Sequence, residues 1–359
     1  METNDKTIPT EAIIFIPGLN PRQRGHHLDT LSQGLKNLEH CKFQDRGDAK
    51  ILGHTGKRFD VYCNNNQTHK ILDIYEADWI DIFAEEKIST KRLLNKFISG
   101  FQLLWYWFDS RIWAVIPEAP SLTLGIIVYS LLLILWYLSI LIMVMVIIGE
   151  DPSFFGFNLA SIFPDLPNLL SKLGNALGRL NLWISISIIL SFIKIDKVID
   201  LAHLVKLYLG INQKSMNLKS KVRERIIYLL EDVLKDYENV TVVAHSFGVT
   251  IATDILADYY SLKPIKYITL GGQLRVLGYK NQWLQKEIKK LMENDSLLTW
   301  INYYSSDDWL GGDSWSKQNF NSKKFTSKPI ELKFDRLERL LGKTHLHYLY
   351  YPIWAEALM

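Results

Sequence analysis

The chain predicts an α/β protein: a mostly parallel sheet flanked by helices and interrupted by a transmembrane helical insertion. Three observations carry this expectation. Asn239-Val240-Thr241-Val242-Val243-Ala244-His245 is a short β-branched run that passes directly into a helical pattern, as a buried parallel strand does when it hands over to its packing helix. Similar apolar runs at residues 12–16, 267–270 and 300–304 supply further strands. Between the first of these and Val240, residues 119–149 contain no charged side chain.

The N-terminal residues 1–11 are polar and carry Glu2, Asp5 and Lys6, unlike the basic-then-apolar plan of a signal peptide. Residues 12–16 form the first strand, with Pro17-Gly18-Leu19-Asn20 as its exit turn. Residues 60–63 and 71–75 read as two more strands. Residues 122–148 are then almost continuously apolar; at 1.5 Å per residue they reach about 40 Å, against a hydrocarbon core of about 30 Å.

Strands from both sides of this segment belong to one sheet, so they lie on one side of any bilayer and an even number of crossings separates them. The best second crossing is residues 180–193, bounded by Arg179 and Lys194, whose stems can snorkel. Alone it reaches only about 21 Å, so it extends upstream, and the two spans are expected at about residues 122–148 and 178–194. Residues 97–116, interrupted by Asp109 and Arg111 and rich in tryptophan, suit a helix lying at the interface. Lys87, Lys91, Arg92, Lys96 and Arg111 precede the first span, and Lys194, Lys197 and Lys206 follow the second. Between the spans stand Glu150, Asp151, Asp165 and only Lys172, so the positive-inside tendency places the sheet in the cytoplasm. The expected organisation is residues 1–90 and 211–359 as two parts of one domain, with residues 91–210 as a membrane-associated insertion.

The chemistry concentrates where the 239–245 run breaks. Val249, Ala252, Leu256 and Tyr259 recur at helical spacing, which puts Ser246 at a sharp strand-to-helix corner. Such a corner strains the serine by roughly 1–3 kcal/mol and needs small residues two before and two after it, here Ala244 and Gly248. The hydroxyl then projects freely, and the Phe247 N–H faces the place where an oxyanion would form. Asp307 and Asp308 end the strand-like run 300–304 and can orient an imidazole; His345 and His347 stand near the C-terminus. His245 belongs to the corner itself and is not expected to act as the base.

Ala244-His245-Ser246-Phe247-Gly248 resembles the G-x-S-x-G nucleophile elbow of the α/β-hydrolase superfamily of serine esterases and lipases, with Ala244 in place of the first glycine. The resemblance implies a triad in the order serine, acid, histidine. It favours Asp308 as the acid, with Asp307 second, because lipase-like hydrolases often place the acid at this offset after a Trp-x-Asn strand. It favours His345 over His347, because Gly342-Lys343-Thr344-His345-Leu346-His347-Tyr348 resembles the His-x-x-Tyr segment of these enzymes, a loop before an aromatic helical tail. It implies Leu19 as the second oxyanion donor, although Pro17 stands where the family often has histidine.

The remaining composition narrows the partners. With 359 residues, 48% of them hydrophobic, the chain can bury one large α/β core and carry an extra module. A formal charge of +3, mostly dispersed, implies no nucleic-acid partner. Lys214, Lys219, Lys221, Arg223 and Arg225 read as a solvated helix face. Cys41 and Cys63 are the only cysteines, so neither a disulfide framework nor a metal site is expected, and a reducing compartment suits the chain. Gly56-Lys57-Arg58 lacks the plan of a phosphate-binding loop, and no cofactor is expected. The expected function is a membrane-anchored serine hydrolase acting on an ester or acyl substrate, with membrane lipid as its partner. The alternative is a catalytically inactive, membrane-tethered scaffold or binding module of the same fold.

Overall fold

A computed structural model describes residues 10–19, 25–38, 41–63, 68–85, 98, 100–102, 104–105, 120–150, 164–178, 195–313, 323–331, 334–335, 338–339, 342–350 and 353–358. Its strands in chain order are β1 (Thr10–Ile16), β2 (Cys41–Ile51), β3 (His54–Cys63), β4 (Thr68–Glu76), β5 (Asn239–His245), β6 (Ile265–Leu270), β7 (Leu297–Tyr304) and β8 (Phe325–Pro329). The described helices are α1 (His26–Leu35), α2 (Ile80–Glu85), α3 (Pro120–Glu150), α4 (Leu166–Gly178), α5 (Ile195–Leu209), α6 (Gln213–Asp236), α7 (Gly248–Asp258), α8 (Leu274–Lys280), α9 (Gln282–Glu293) and α10 (Lys343–Tyr350), followed by a 3₁₀ turn at Ile353–Leu358.

All eight strands join one mixed sheet in the order β2-β3-β4-β1-β5-β6-β7-β8. From β4 to β8 the pairing is parallel; β3 alone runs against its neighbours β2 and β4. This matches the expected α/β class and the strands expected at β1, β3, β4, β5, β6 and β7. The central strands are apolar throughout because both faces are covered. Ile13 and Phe15 of β1 pack with Val243, Ile268 and Leu270 against Leu28, Leu31 and Leu35 of α1 and Tyr348 and Leu349 of α10, while Ala12, Ile14 and Ile16 are buried on the other face. Gly34 has a backbone carbonyl, that of Leu349, where a Cβ would stand. Its lack of a side chain therefore brings α1 onto the main chain of α10.

Sheet order positions the site. β1 has β4 on one side and β5 on the other, with Ile16 in register with Ala244. The connections leaving β1 and β5 thus diverge from adjacent carboxyl ends, the place where open α/β sheets form a ligand crevice.

The chain divides into two compact units: one from Met1–Lys87, Asp109–Gly125 and Leu204–Met359, which contains the sheet, and one from Ile88–Phe108 and Ile126–His203. Among the described residues, one helix is long and apolar enough to cross a membrane: α3, whose 20-residue stretch Thr123–Ile142 has a mean hydropathy of 2.4. Leu131, Leu138 and Leu141 along it are exposed. The expected second span, residues 178–194, lies outside the described residues from 179 onward, as does most of the expected interfacial helix.

Two features differ from the sequence expectation. β2 and β8 are strands that the sequence pattern does not announce. Moreover, Cys41 and Cys63 form a disulfide, with Cα atoms 4.4 Å apart. They are 22 residues apart in sequence, but β2 and β3 are antiparallel and the two cysteines are register partners, which brings them within bridging distance. A bridge of this kind is native to oxidising compartments and opposes the expectation of a reducing one.

Candidate active site

β5 ends at His245 and α7 begins at Gly248, so two residues turn the chain from strand to helix. Ser246 takes φ 57°, one of two non-glycine residues with positive φ among those described. An L-residue avoids this region unless its surroundings impose it. Here Ser246 N–H donates to the Leu270 carbonyl of β6 at 3.0 Å, and Val249 N–H donates to Ser246 O at 3.1 Å. Gly248 sits against the carbonyls of Ile16 and Pro17, the latter 2.6 Å from where a Cβ would stand. This is the close approach that the small-residue rule anticipates. The rule's other position, Ala244, is completely buried in β5.

The Ser246 Oγ lies 2.7 Å from Nε2 of His345. On the other side of that ring, Nδ1 lies 2.9 Å from Oδ2 and 3.1 Å from Oδ1 of Asp308. Three residues far apart in the chain thus form one continuous line of hydrogen bonds. Asp308 follows β7, while His345 lies in the first turn of α10, not in a loop ahead of it.

Asp308 is wholly buried and fully engaged. Its Oδ1 accepts the N–H groups of Leu310 and Gly311 at 2.9 and 3.0 Å, an Asx-type turn, and its Oδ2 accepts the Tyr348 hydroxyl at 3.2 Å. Burial acts to raise this carboxyl, but His345 and the N–H donors outweigh it and hold the group below the ordinary carboxylate range. Asp308 is therefore an anion, and a neutral His345 turns its Nδ1–H toward it. That tautomer leaves Nε2 bare and facing the serine hydroxyl. Gly271, at φ 53°, and Gly311 lie close to the carboxylate, with Oδ2 2.8 and 2.5 Å from where their Cβ atoms would stand.

Tyr348 sits three residues after His345 on α10, so both side chains leave the same helix face toward Asp308. Its hydroxyl accepts Ser305 N–H at 2.9 Å while donating to Asp308. Burial and the Asp308 charge raise it well above the ordinary phenol value, which keeps it a donor. His245 faces the main chain of α10, with Nε2 2.8 Å from the His345 carbonyl oxygen.

Of the expected oxyanion donors, Phe247 directly follows the serine, and Leu19 follows Gly18 in the turn after β1. Gly18 abuts Ser246, whose Oγ is 3.0 Å from where a Cβ of residue 18 would stand, so only glycine fits beside the nucleophile. The Trp79 indole holds this turn by donating to Pro17 O at 3.0 Å, and its ring packs on Phe247. Phe247 stands at the N-cap of α7 with φ −65°, where the positive end of the helix favours negative charge.

The two residues held as alternatives are placed elsewhere. Asp307 pairs with Arg339 at 2.9 Å, lining a cavity of about 450 Å³ with Ser305, Ser306, Ile330 and Phe334. His347 packs edge-on against Phe334 at 4.5 Å. Sequence reading missed Trp79, Gly18 as a contact of the serine, and the two N–H donors to Asp308. The Leu-Gly pair after an Asp was the available signal for the last of these. Among the described residues no group of three or more His, Cys, Asp or Glu side chains is arranged to hold a metal ion. No known protein family, characterised protein or solved structure matches the chain.

Proposed function

We propose that the chain is a membrane-anchored serine hydrolase of the α/β-hydrolase type, cleaving carboxylic esters of lipids or acylated molecules through an acyl-enzyme on Ser246. The observation that carries this reading is the unbroken line Asp308–His345–Ser246, with the serine strained at φ 57° on a strand-to-helix corner. A serine at a structural turn requires neither a bare imidazole nitrogen at 2.7 Å nor a buried carboxylate behind it.

Each group has one task. A neutral alcohol is a poor nucleophile, so as Oγ bonds to the ester carbonyl carbon, His345 Nε2 takes its proton. The carbonyl electrons move onto oxygen, and the Leu19 and Phe247 N–H groups donate to that oxyanion; one such donor is worth roughly 10²–10³ in rate. Collapse breaks the bond to the leaving oxygen, which takes the proton from His345. Water then repeats the sequence on the acyl-enzyme. Asp308 holds the productive tautomer and stabilises the imidazolium, remaining ionised throughout.

The lipid character of the substrate rests on α3. Gly125, at the start of its apolar stretch, lies where a Cβ would stand 2.7 Å from the carbonyl oxygen of Trp309, the residue after Asp308. The start of α3, which belongs to the sheet-bearing unit, therefore lies against the loop that bears the acid. Lipid ester groups lie near the membrane–water boundary, where an enzyme anchored by such a helix works. Two crossings, with the sheet on the cytoplasmic side, complete the proposal. Basic flanks support that side and the disulfide opposes it, so labelling of engineered cysteines in sealed vesicles decides the orientation.

The test is hydrolysis of acylglycerol and phospholipid esters presented in vesicles, compared with short soluble esters, by wild type and Ser246→Ala. The proposal expects turnover that the variant abolishes. Cleavage of soluble esters with no cleavage of any lipid ester would remove the lipid assignment; activity unchanged in Ser246→Ala would remove the serine mechanism.

A further inference from the structure

His245 is 3% exposed, ends β5 and immediately precedes the serine. Its Nε2 stands 2.8 Å from the main-chain carbonyl oxygen of His345. A carbonyl only accepts, so Nε2 carries the hydrogen and the ring is a donor. The two imidazole rings lie 4.8 Å apart, and the Tyr348 ring is 6.0 Å from His245.

Several contacts hold helix α10, and Asp308 holds the His345 ring itself. Gly34 of α1 meets its C-terminal turn, and Tyr348 ties it to Ser305 and Asp308. Among the described residues, the His245 hydrogen bond is the one that joins the residue carrying the base to the strand carrying the nucleophile, apart from the bond between Ser246 and His345 itself. That last bond is consumed by the chemistry: once Oγ is acylated it carries no hydrogen for Nε2 and no longer positions the ring.

We propose that His245 is a positioning residue that tethers His345 to the elbow through its main chain and keeps the base in place while Ser246 is acylated. The proposal rests on the serine-hydrolase reading. In deacylation, His345 Nε2 takes a proton from water as the water oxygen bonds to the acyl carbon. The Oγ–acyl bond then breaks, and the proton returns to Oγ. A displacement of about 1 Å at such a stage costs about a hundredfold, and the tether prevents it. The titratable groups facing His245 are His345, Asp308, Tyr348 and His27. Burial, followed by the neighbouring His345, pushes His245 down to about 3, so the tether stays neutral and leaves the catalytic charge to His345.

The experiment measures acylation and deacylation separately in the full-length, detergent-solubilised protein. p-Nitrophenyl butyrate gives burst and steady-state rates, and a fluorophosphonate, which phosphonylates Ser246 with loss of fluoride, reports the reactivity of the nucleophile alone. His245→Phe removes the donor at similar volume, while His245→Gln keeps a donor long enough to reach the carbonyl. His245→Phe is expected to slow deacylation at least about tenfold, to slow acylation less, and so to accumulate acyl-enzyme; His245→Gln restores much of the loss. His245→Asn, too short to reach, gives the same comparison if the phenylalanine variant melts at the assay temperature. Equal deacylation in a folded donor-less variant overturns the tether alone. Failure of the wild type to react with the fluorophosphonate overturns the serine reading, and the tether with it.

Discussion

Replacing Asp308 with asparagine changes one atom of the site and separates positioning from charge. In the present structure Oδ1 takes the N–H groups of Leu310 and Gly311, and Oδ2 faces His345 Nδ1 at 2.9 Å. Main-chain N–H groups only donate, so the amide oxygen of the introduced asparagine must stay with them and its NH₂ must take the place of Oδ2. That NH₂ donates to His345 Nδ1, which sends the ring hydrogen to Nε2. A protonated Nε2 pointing at Ser246, 2.7 Å away, cannot accept the serine proton. The shape is conserved, and the Tyr348 hydroxyl can reverse to accept, so the fold should survive. The expected loss in acylation rate is about 10³–10⁴-fold, equivalent to about 4–5.5 kcal/mol. The assay is the second-order rate of fluorophosphonate reaction, with thermal melting as the folding control. Asp307→Asn, which disturbs only the partly exposed pair with Arg339, should stay within about threefold, since such pairs contribute about 0–1 kcal/mol. A folded Asp308→Asn protein reacting within threefold of wild type would refute the tautomer argument.

Three further outcomes follow from the same structure. Gly248→Ala puts a Cβ against two main-chain carbonyls and should cost about 1–3 kcal/mol together with serine reactivity; Gly312→Ala, with nothing within 4 Å, should melt and react like wild type. Reduction of Cys41–Cys63, or Cys41→Ser, should lower stability by about 3 kcal/mol for a loop of this length; reductant-insensitive melting of the wild type would refute the bridge. His245 is held near 3 against an ordinary 6.5, so between those values the unfolded chain binds a proton that the folded chain refuses. The stability it confers is full above pH 6.5 and falls by about 1.4 kcal/mol per unit as pH drops toward 3. The depressed Asp308 adds a loss of the same sign at lower pH, as the medium falls through its folded value. Denaturant unfolding at pH 7, 5.5 and 4.5 should give a shallower slope for His245→Gln than for wild type.

What the sequence discloses follows from burial. β1, β5, β6 and β7 are legible because both of their faces are covered, leaving unbroken apolar runs. β2 is an edge strand whose residues from Gln44 to Asp48 are all exposed, with a register shift between Asp45 and Gly47, so a pattern search meets charge where pairing is actually supplied by β3. β8, the other edge, buries none of its five residues. The elbow is readable because its constraints are local: Ala244, Ser246 and Gly248 lie within five residues. Asp307 and Asp308 cannot be separated locally, since what distinguishes them is Arg339, over thirty positions away, and two glycines that crowd only Asp308. His345 and His347 are likewise sorted by what each face of α10 meets, Ser246 or Phe334. The cysteine pairing is hidden because it depends on the register of a hairpin one of whose strands carries no sequence signal.

The central claim is that Ser246 is an activated nucleophile. The most direct measurement is reaction of the full-length, detergent-solubilised protein with a fluorophosphonate, the modified peptide being located by mass spectrometry, beside Ser246→Ala and His345→Ala. A single adduct on Ser246 that both variants lose is the predicted result. Folded wild-type protein that forms no adduct, or forms it equally without His345, would contradict it.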